Sequence, residues 1–348
     1  MVTTVSVALD WTPNTNHTGF YVAKQLGLYQ RAGLDVQLLS PHIDNYQDTP
    51  AARVASKQAI FAVTPSETVI SYHTQPGKPK LQAVATILSS DTSVVATLKS
   101  SGIDRPSKLD GKVYASYGAR YEGRIVQQLI KNDGGKGDYQ EVTPAKLGIW
   151  NTLLAGKADA TWIFEAWEGI EAKQKGVELN AFRLGDYGVP YGYSPLLVAH
   201  PDTLREQPDV VRAFLAATAE GFRTAASQPE QAAQHLVSLA GQENASPLLP
   251  VPLDLDMVTA SQRLLQKHYL DANKEWGRME KGRWDTFLDW LSQQGLLTTA
   301  VQSRSPEDGV SVTLDDLRQG KAGEPVPRET ISSDQLFTND FLPGAKAT

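Results

Sequence analysis

The sequence predicts an α/β protein made of two lobes, and three observations support this prediction. Short apolar strands alternate with helical segments from the N-terminus onward, a pattern typical of a mostly parallel sheet covered by helices. The chain has 348 residues, which is longer than one typical single-core domain. The pattern restarts after residue 90 and returns near residue 195, so we expect lobe one at residues 1–90 and 195–348 and lobe two at residues 91–194.

Lobe one is expected to begin with four strands that alternate with helices. Apolar runs bounded by turn residues predict strands at residues 5–9, 34–39, 59–63 and 81–87. Helical spacing of apolar residues predicts helices at residues 19–29, 49–55 and 68–73. Thr64 or Ser66 is expected to cap the third helix, because a hydroxyl oxygen accepts hydrogen bonds from free N–H groups at a helix start.

Lobe two is expected to repeat this alternation, and the chain then returns to the first sheet. Its predicted strands are residues 94–98, which cross between the lobes, 113–115 and 158–163, and its predicted helices are 107–112, 123–131, 149–155 and 164–175. An aromatic, glycine-rich loop leads back to a strand at residues 196–199. After residue 201 we expect helices at 210–226, 231–239, 257–269 and 284–291, with a polar surface segment at 306–327.

Composition limits the partners and the chemistry. Thirty-nine acidic residues outnumber 33 basic ones, the net charge is −6 and no long basic run is present. We therefore expect no nucleic-acid partner and no attraction to anionic membranes. No apolar run reaches membrane-spanning length, so no membrane insertion is expected. The absence of cysteine excludes disulfides, thiol catalysis and cysteine-bound metal centres.

The first residues give an expectation about cellular location. Residues 1–4 lead directly into a strand-like stretch, without the basic and apolar regions that a signal peptide carries. We therefore expect a cytoplasmic protein, or a periplasmic one if the sequence is a mature form whose signal peptide has been removed.

Four loops are expected to meet at one edge of the predicted sheets. Ligands of open α/β sheets bind beyond the carboxyl ends of the strands, where helix N-termini favour electronegative atoms. The loops in that position are residues 10–17, 64–67, 116–122 and 164–168. They are rich in aromatic side chains, and flat aromatic walls with a few hydrogen-bonding groups suit a flat heteroaromatic ligand.

Candidate ligand contacts come from these loops and from the return loop. The candidates for aromatic walls are Trp11, Tyr117, Tyr121, Trp162, Trp167, Tyr187 and Tyr191. The candidates for hydrogen bonds are Asn14, His17, Thr64, Ser66, Glu67, Arg120, Glu122 and Glu165.

Ordinary structural roles compete with ligand binding at several of these positions. Trp162 continues an alternating strand and fits a core as well as a site, whereas Trp11 precedes a polar loop, which favours a site. Glu67 and Glu165 also complement helix N-termini. The loop asparagines are good turn formers, and His17 is more typical of a loop or capping histidine.

No catalytic or metal-binding motif is present. The sequence has no GxSxG, P-loop, HExxH or GxGxxG pattern, and its six histidines are scattered without metal-ligand spacing. We therefore expect a binding protein with no catalytic residues, no bound metal and no cofactor.

The opening of the chain resembles a known family. VALDWTPNTNHTG at residues 7–19, followed by GLY at 27–29 and AGLDV at 32–36, is similar to the start of pyrimidine-precursor-binding proteins and fungal thiamine-pyrimidine synthases. The resemblance continues through TPSE at 64–67, ATWIFEAWEG at 160–169, DYGVPYGYSP at 186–195 and FTNDFL at 337–342. It implies the type II periplasmic-binding-protein fold, in which two α/β lobes are joined by two hinge strands, and the chain looks like a fungal-like cytoplasmic member.

Two departures from the synthases bear on catalysis. The synthases carry a lysine for pyridoxal phosphate and a histidine consumed as substrate in the stretch corresponding to residues 62–68, where this chain has Thr64 and Thr68. They also carry a cysteine-rich iron-binding run, and this chain has no cysteine. Because a Schiff base requires an amine, the resemblance implies binding without pyrimidine synthesis.

The resemblance further implies that the lobes close on a thiamine-pyrimidine-like precursor or its phosphate, with a link to thiamine metabolism. A carboxylate of the site would pair with the aminopyrimidine, and Arg120 would hold a phosphate or carboxylate. Two alternatives stay open: a diverged synthase or a hydrolase of a pyrimidine precursor, and a binding protein for an alkylsulfonate, a riboflavin-like compound or another small anion. The sequence does not specify a transporter partner.

Overall fold

Two five-stranded sheets form the framework of the molecule. The computed structural model describes residues 2–44, 46–243, 253–300 and 323–345. The strands are β1 Thr3–Ala8, β2 Leu34–Leu39, β3 Phe61–Thr64, β4 Gln82–Thr86, β5 Ser93–Leu98, β6 Val113–Ala115, β7 Gln140–Val142, β8 Ala160–Phe164, β9 Leu179–Phe182 and β10 Leu196–Ala199. The first sheet has the order β2-β1-β3-β10-β4, and the second has the order β7-β6-β8-β5-β9.

Each sheet is parallel except around one antiparallel strand. In the first sheet β10 lies antiparallel between β3 and β4, and in the second sheet β5 lies antiparallel between β8 and β9. The central strands β3 and β10 are buried along their whole length, as expected where helices cover both faces of a sheet. We call the first sheet with its helices lobe one, and the second sheet with its helices lobe two.

Helices pack on the faces of both sheets. Those of the chain up to β10 are α1 Thr18–Gln25, α2 Leu28–Arg31, α3 Pro50–Ala55, α4 Ser66–Thr74, α5 Glu122–Asn132, α6 Ile149–Leu154 and α7 Ile170–Gln174, the last preceded by a π-helical turn at Glu165–Gly169. Those after β10 are α8 Pro201–Glu206, α9 Pro208–Ser227, α10 Pro229–Glu243, α11 Leu255–Leu265, α12 Lys281–Gln293 and α13 Ser333–Leu336.

One core of lobe one lies between the first sheet and helices α1 and α9. Phe61 of β3 stacks on Phe214 of α9 with ring centroids 4.4 Å apart, and Phe222 meets Phe20 of α1 edge-on. Burying each such side chain stabilises the fold by roughly 1.5–3 kcal/mol. Gly27, with φ of 66°, separates α1 from α2, because glycine adopts this left-handed conformation without strain. The single helix predicted here is therefore two helices.

The chain passes between the sheets twice, at residues 87–92 and 183–195. The lobe boundaries predicted after residues 90 and 194 lie within these two passages. Arg283 of α12 links the passages, since its guanidinium donates to the Ser89 carbonyl oxygen at 2.9 Å and to the Gly192 carbonyl oxygen at 2.7 Å. Helix α12 of lobe one therefore forms hydrogen bonds to both passages that connect the lobes.

The structure differs from the sequence-based expectation at a few elements. The sequence pattern does not predict β7 and β9, because both are short edge strands whose residues are mostly only partly buried. The hydroxyl cap expected for α4 is wrong, since Pro65 occupies the N-cap position and its side chain offers no hydrogen-bond acceptor. The strand predicted to cross at 94–98 lies in the second sheet as β5.

Most of the polar segment predicted at 306–327 lies outside the described residues, which resume at residue 323. Within the described ranges, no helix is both long and apolar enough to cross a bilayer.

Candidate functional site

A cavity of about 500 Å³ lies between the lobes, beyond the carboxyl ends of β1, β3, β6 and β8. All four loops that the sequence placed at this edge contribute to its lining. The candidates that line it are Trp11, Asn14, Thr64, Glu67, Tyr117, Arg120, Glu122, Trp162, Trp167 and Tyr191. The two sheets therefore bring together side chains that are far apart in sequence.

Aromatic rings from both lobes form two groups along the cavity. Trp11 of lobe one meets Tyr117 of lobe two edge-on with ring centroids 5.6 Å apart, and Tyr46 lies 6.1 Å from Trp11. Trp162 of lobe two lies 5.3 Å from Tyr191 of the second passage. Stacking of a planar ligand on such rings contributes about 0.5–1.5 kcal/mol beyond the burial of area.

Glu67, in the first turn of α4, has one carboxyl oxygen that no described residue holds by a hydrogen bond. Its Oε1 accepts a hydrogen bond from the Tyr191 hydroxyl at 3.3 Å, while its Oε2 is buried and unbonded within the described ranges. We call Oε2 the free oxygen of Glu67.

Burial raises the pKa of Glu67 to about 8, and the nearby charge of Glu122 adds to the rise. The Tyr191 hydroxyl, the Tyr121 backbone and the Arg120 charge offset only part of it. Near neutral pH this carboxyl can therefore donate a hydrogen bond as well as accept one.

Glu122, the first residue of α5, is buried, and both of its carboxyl oxygens accept hydrogen bonds from its own lobe. Its Oε1 accepts from the Tyr114 hydroxyl at 2.8 Å and the Tyr117 amide at 3.1 Å, and its Oε2 accepts from the Ala119 amide at 3.2 Å. Burial, followed by the charge of Glu141, raises the pKa of Glu122 to about 7. Glu122 thus shapes the loop that carries Tyr117.

Arg120 joins lobe two to lobe one. Its Nη1 donates to the Ser71 Oγ at 3.1 Å and to the Thr74 Oγ1, both on α4. Its Nη2 donates to the Thr298 carbonyl oxygen. The side chain is buried, and burial lowers the pKa of Arg120 from its usual value. Both terminal nitrogens are therefore occupied by protein oxygens rather than directed to an anion.

Some candidates do not line the cavity, and two of these have clear structural roles. His17 is fully buried, with its Nε2 2.7 Å from the Asp10 Oδ1 and its Nδ1 accepting from the Asn14 amide at 3.3 Å. The expected capping role of this histidine is therefore confirmed. Glu165 lies at the surface, where both of its oxygens accept from Arg183 at 2.7 Å.

Ser66, Tyr121 and Tyr187 are also held away from the cavity. Ser66 is buried against the second passage, so close that a Cβ on Gly192 would lie 2.2 Å from the Ser66 Oγ. Tyr121 lies under the Arg120 guanidinium, 4.9 Å from its ring centroid. Tyr187 packs edge-on against Phe182 in lobe two. In each case an intramolecular contact holds the side chain in place.

Other lining residues were not among the candidates. Asp10 and Glu168 lie within the predicted loops, and the signal for them was their position after a strand. Glu168 accepts from the Phe164 amide at 3.0 Å, and burial raises its pKa to about 7. Lys146 lies over the ring of Tyr46 at 4.0 Å and adds an interlobe contact. Lys146 follows β7, and because the sequence pattern does not predict this strand, Lys146 is not among the candidate residues.

The comparisons with known proteins agree with this architecture. Residues 14–232, more than half of the chain, match the NMT1/THI5-like family. The chain belongs to this family. Its relatives within the NMT1/THI5-like group include the formylaminopyrimidine-binding protein of Halalkalibacterium halodurans, 27% identical over 317 residues that cover 90% of this chain and 91% of the relative. They also include the 4-amino-5-hydroxymethyl-2-methylpyrimidine phosphate synthase of Legionella pneumophila, 23% identical over 83% of this chain and 88% of the relative.

Solved structures identify the fold of this NMT1/THI5-like chain. The alkanesulfonate-binding protein SsuA from Xanthomonas axonopodis pv. citri, solved with MOPS bound, has a TM-score of 0.61 and 12% sequence identity. The match covers 84% of this chain and 94% of SsuA. The two-lobed periplasmic-binding-protein fold expected from the sequence is therefore confirmed.

The described residues do not fit the cofactors of the synthases in this family. Thr64 and Thr68 line the cavity at the positions where the resemblance places the synthase lysine and histidine, and neither carries an amine. In the part of the chain that the structure describes, no group of three potential metal-ligating side chains occurs.

Proposed function

We propose that this protein binds a small aminopyrimidine of the thiamine-precursor type in the cleft between its lobes. The observation that carries the proposal is the free oxygen of Glu67, which is buried in the wall of a cavity bounded by aromatic rings. A carboxyl beside a flat apolar wall pairs well with an amino group and a neighbouring ring nitrogen. The formylaminopyrimidine-binding relative, which matches along most of its length, supports this ligand class.

The proposed activity is binding rather than synthesis. Threonines replace the amine that a Schiff base requires. The cavity is also shaped by groups that hold each other in fixed positions, such as Glu122 and the Tyr117 amide. A protein purified with bound pyridoxal phosphate, detected by its absorbance, would contradict this part of the proposal.

Fluorescence titration tests the proposal because Trp11, Trp162 and Trp167 line the cavity. We expect 4-amino-5-hydroxymethyl-2-methylpyrimidine or formylaminopyrimidine to change tryptophan emission in a saturable way. Glu165→Gln, which alters a carboxyl outside the cavity, is the control variant and should keep the response. No response to any aminopyrimidine at concentrations on the order of 1 mM, the weak end of specific binding, would overturn the proposal.

An alkylsulfonate is the second ligand class to test. SsuA is an alkanesulfonate-binding protein of the same fold, although its sequence identity of 12% supports the fold alone. Adding an alkylsulfonate to the same titration distinguishes the two classes. We further propose an ABC-type membrane transporter as the protein partner, in keeping with the fold. A cytoplasmic location stays a prediction that cell fractionation would test.

A further inference from the structure

Acidic side chains outnumber basic ones in the described lining of the cleft. Asp10, Glu67, Glu122 and Glu168 all line the cavity, and the last three are buried. These three carboxyls have raised pKa values because burial disfavours their charged forms. An anionic group entering this space would meet carboxyl oxygens and would raise the cost of ionising them further.

Arg120, which lies in the cleft, is not available to pair with an anionic group of a ligand. Among the described residues that line the cavity, Arg120 is the one arginine. Its Nη1 donates to two hydroxyl oxygens of α4, and its Nη2 donates to the Thr298 carbonyl oxygen. Recognition of a phosphate or sulfonate by arginine uses the same paired N–H groups. An anion could take them only by breaking the contacts that join the two lobes.

Two lysines, Lys78 and Lys146, also line the cavity among the described residues. Both are less suited than Glu67 to bind a ligand there. Lys146 stacks on the ring of Tyr46, where it forms an interlobe contact. Lys78 follows the C-terminal end of α4, whereas Glu67 lies in the first turn of that helix. At 1.5 Å of rise per residue, the C-terminal end of α4 lies roughly 10 Å along the helix from Glu67.

Glu67 differs from these cations because part of its hydrogen-bonding capacity is unused. Tyr191 holds its Oε1, while its free oxygen is buried without a bond to any described residue. Among the described residues that line the cavity, Glu67 is therefore the one with a buried side-chain oxygen that has no hydrogen-bond partner, and this oxygen suits an N–H donor.

We infer that the cleft selects an uncharged, amine-bearing heteroaromatic base and rejects its phosphate ester, with Glu67 as the group that determines this specificity. The inference rests on the proposed function and narrows it. Arg120, expected from the sequence to hold a phosphate or carboxylate, instead keeps the lobes together. The amino group of the base donates to Glu67, and the substituent that carries phosphate in the ester would lie among the remaining carboxyls.

Calorimetric titration with a matched pair tests the inference: 4-amino-5-hydroxymethyl-2-methylpyrimidine and its phosphate, on the full chain near neutral pH. We expect the phosphate to bind at least about tenfold more weakly, which corresponds to about 1.4 kcal/mol. Equal or tighter binding of the phosphate would overturn the inference and leave pyrimidine binding intact. Binding of neither compound would overturn the proposed function together with the inference.

Variants of Glu67 separate recognition from folding. Glu67→Met keeps the approximate length of the side chain but removes both oxygens, and we expect it to weaken binding of the unphosphorylated base by about tenfold or more. Glu67→Gln keeps one acceptor oxygen and one donor, as the protonated carboxyl does, and should bind more tightly than Glu67→Met. Glu165→Met is the matched control and should bind as the wild type does. Thermal unfolding of these variants verifies that they fold. Unchanged affinity in a folded Glu67→Met protein would contradict the assignment of Glu67.

Discussion

Glu67 and Glu122 come from different lobes, yet they line the same cavity and the charge of Glu122 raises the pKa of Glu67. Glu122 has three hydrogen bonds within its own lobe, so its burial is compensated locally. Glu67 accepts from the Tyr191 hydroxyl of the second passage, and its free oxygen has no hydrogen-bond partner among the described residues. A buried acceptor without a partner destabilises the ligand-free protein, and a ligand that supplies the missing donor recovers this free energy on binding.

The raised pKa of Glu67 makes stability depend on pH in a defined direction. The pKa rises from 4.5 to about 8 on folding, so the folded protein keeps a proton that the unfolded chain loses. The free energy of unfolding therefore falls as pH increases through that window, by at most about 1.4 kcal/mol per pH unit for this group. Relative to Glu67→Gln, the ligand-free wild type should lose stability between about pH 5 and pH 8.

Urea unfolding at the two ends of this window checks that prediction. The difference in the free energy of unfolding between wild type and Glu67→Gln is the quantity to compare, because the histidines and the carboxyls other than Glu122, which interacts with Glu67, contribute similarly to both proteins. If the difference in the free energy of unfolding stays constant, or favours the wild type at the higher pH, the pKa of Glu67 is not raised by folding.

Trp11 gives a second prediction at the scale of single residues. Replacing it by alanine removes a ring that lies 5.6 Å from Tyr117 and borders the cavity. We expect Trp11→Ala to raise the Kd for an aminopyrimidine by roughly tenfold, and Trp11→Phe to restore most of the affinity because a ring remains. Calorimetry measures both. A Trp11→Ala protein with wild-type affinity would place the ligand elsewhere in the cleft.

The sequence predicted the general location of the site better than its details. The loops could be placed because each follows a parallel strand, and such loops meet at one edge. The roles of individual side chains could not, since they depend on partners far away in sequence. Arg120 reaches Thr298, 178 residues away, and Glu67 accepts from Tyr191, 124 residues away. No local pattern reports such contacts.

At the scale of elements, the two passages between the sheets depend on α12. Arg283 binds the carbonyl oxygens of Ser89 and Gly192, and its guanidinium lies 4.1 Å from the ring centroid of Tyr193. A lysine at this position cannot reproduce two divergent N–H donors and a planar stack. The helix therefore links the passages through one side chain, in addition to the direct hydrogen bond from the Ile87 amide to the Pro195 carbonyl oxygen at 3.0 Å.

We expect Arg283→Ala to lower the free energy of unfolding by roughly 1.5–3 kcal/mol, the range for hydrogen bonds to charged groups. Arg283→Lys should recover only part of this loss. Urea denaturation measures both effects. Lys281→Ala on the same helix is the control, because Lys281 forms an exposed ion pair with Asp334 and such pairs contribute little. An Arg283→Ala protein as stable as that control would contradict the role of Arg283.

The strands that could be predicted are those with a clear apolar pattern. Residues 34–39 and 196–199 match β2 and β10 to the residue, because apolar residues alternate at the start of the first and fill the second. β7 and β9 are short and carry polar or exposed residues, since an edge strand buries less of its surface. Helix α10 extends beyond its predicted range, as its ends are polar and lack an apolar pattern.

At the scale of the whole molecule, the lobes are in contact across the cleft. Arg120 reaches α4 and Thr298. Trp11 meets Tyr117, and Lys146 covers the ring of Tyr46. Hinge closure on a ligand is the general motion of two-lobed binding proteins. Opening of the lobes would break these contacts.

Small-angle scattering tests the importance of Arg120 for this arrangement. We expect ligand-free Arg120→Ala to have a larger radius of gyration than the wild type, and saturating aminopyrimidine to reduce it. The matched control is Arg105→Ala, because the exposed side chain of Arg105 forms an ion pair with Asp133 within lobe two and lies outside the cavity lining. An unchanged radius in Arg120→Ala, with and without ligand, would show that Arg120 does not hold the lobes together.

A crystal structure with 4-amino-5-hydroxymethyl-2-methylpyrimidine bound tests the assignment of the cleft and of Glu67 together. We expect the ring to lie between the lobes, against the aromatic side chains, with an amino or ring nitrogen within hydrogen-bonding distance of the Glu67 Oε2. A pyrimidine bound outside the cleft, or in the cleft without a contact to Glu67, would contradict this assignment.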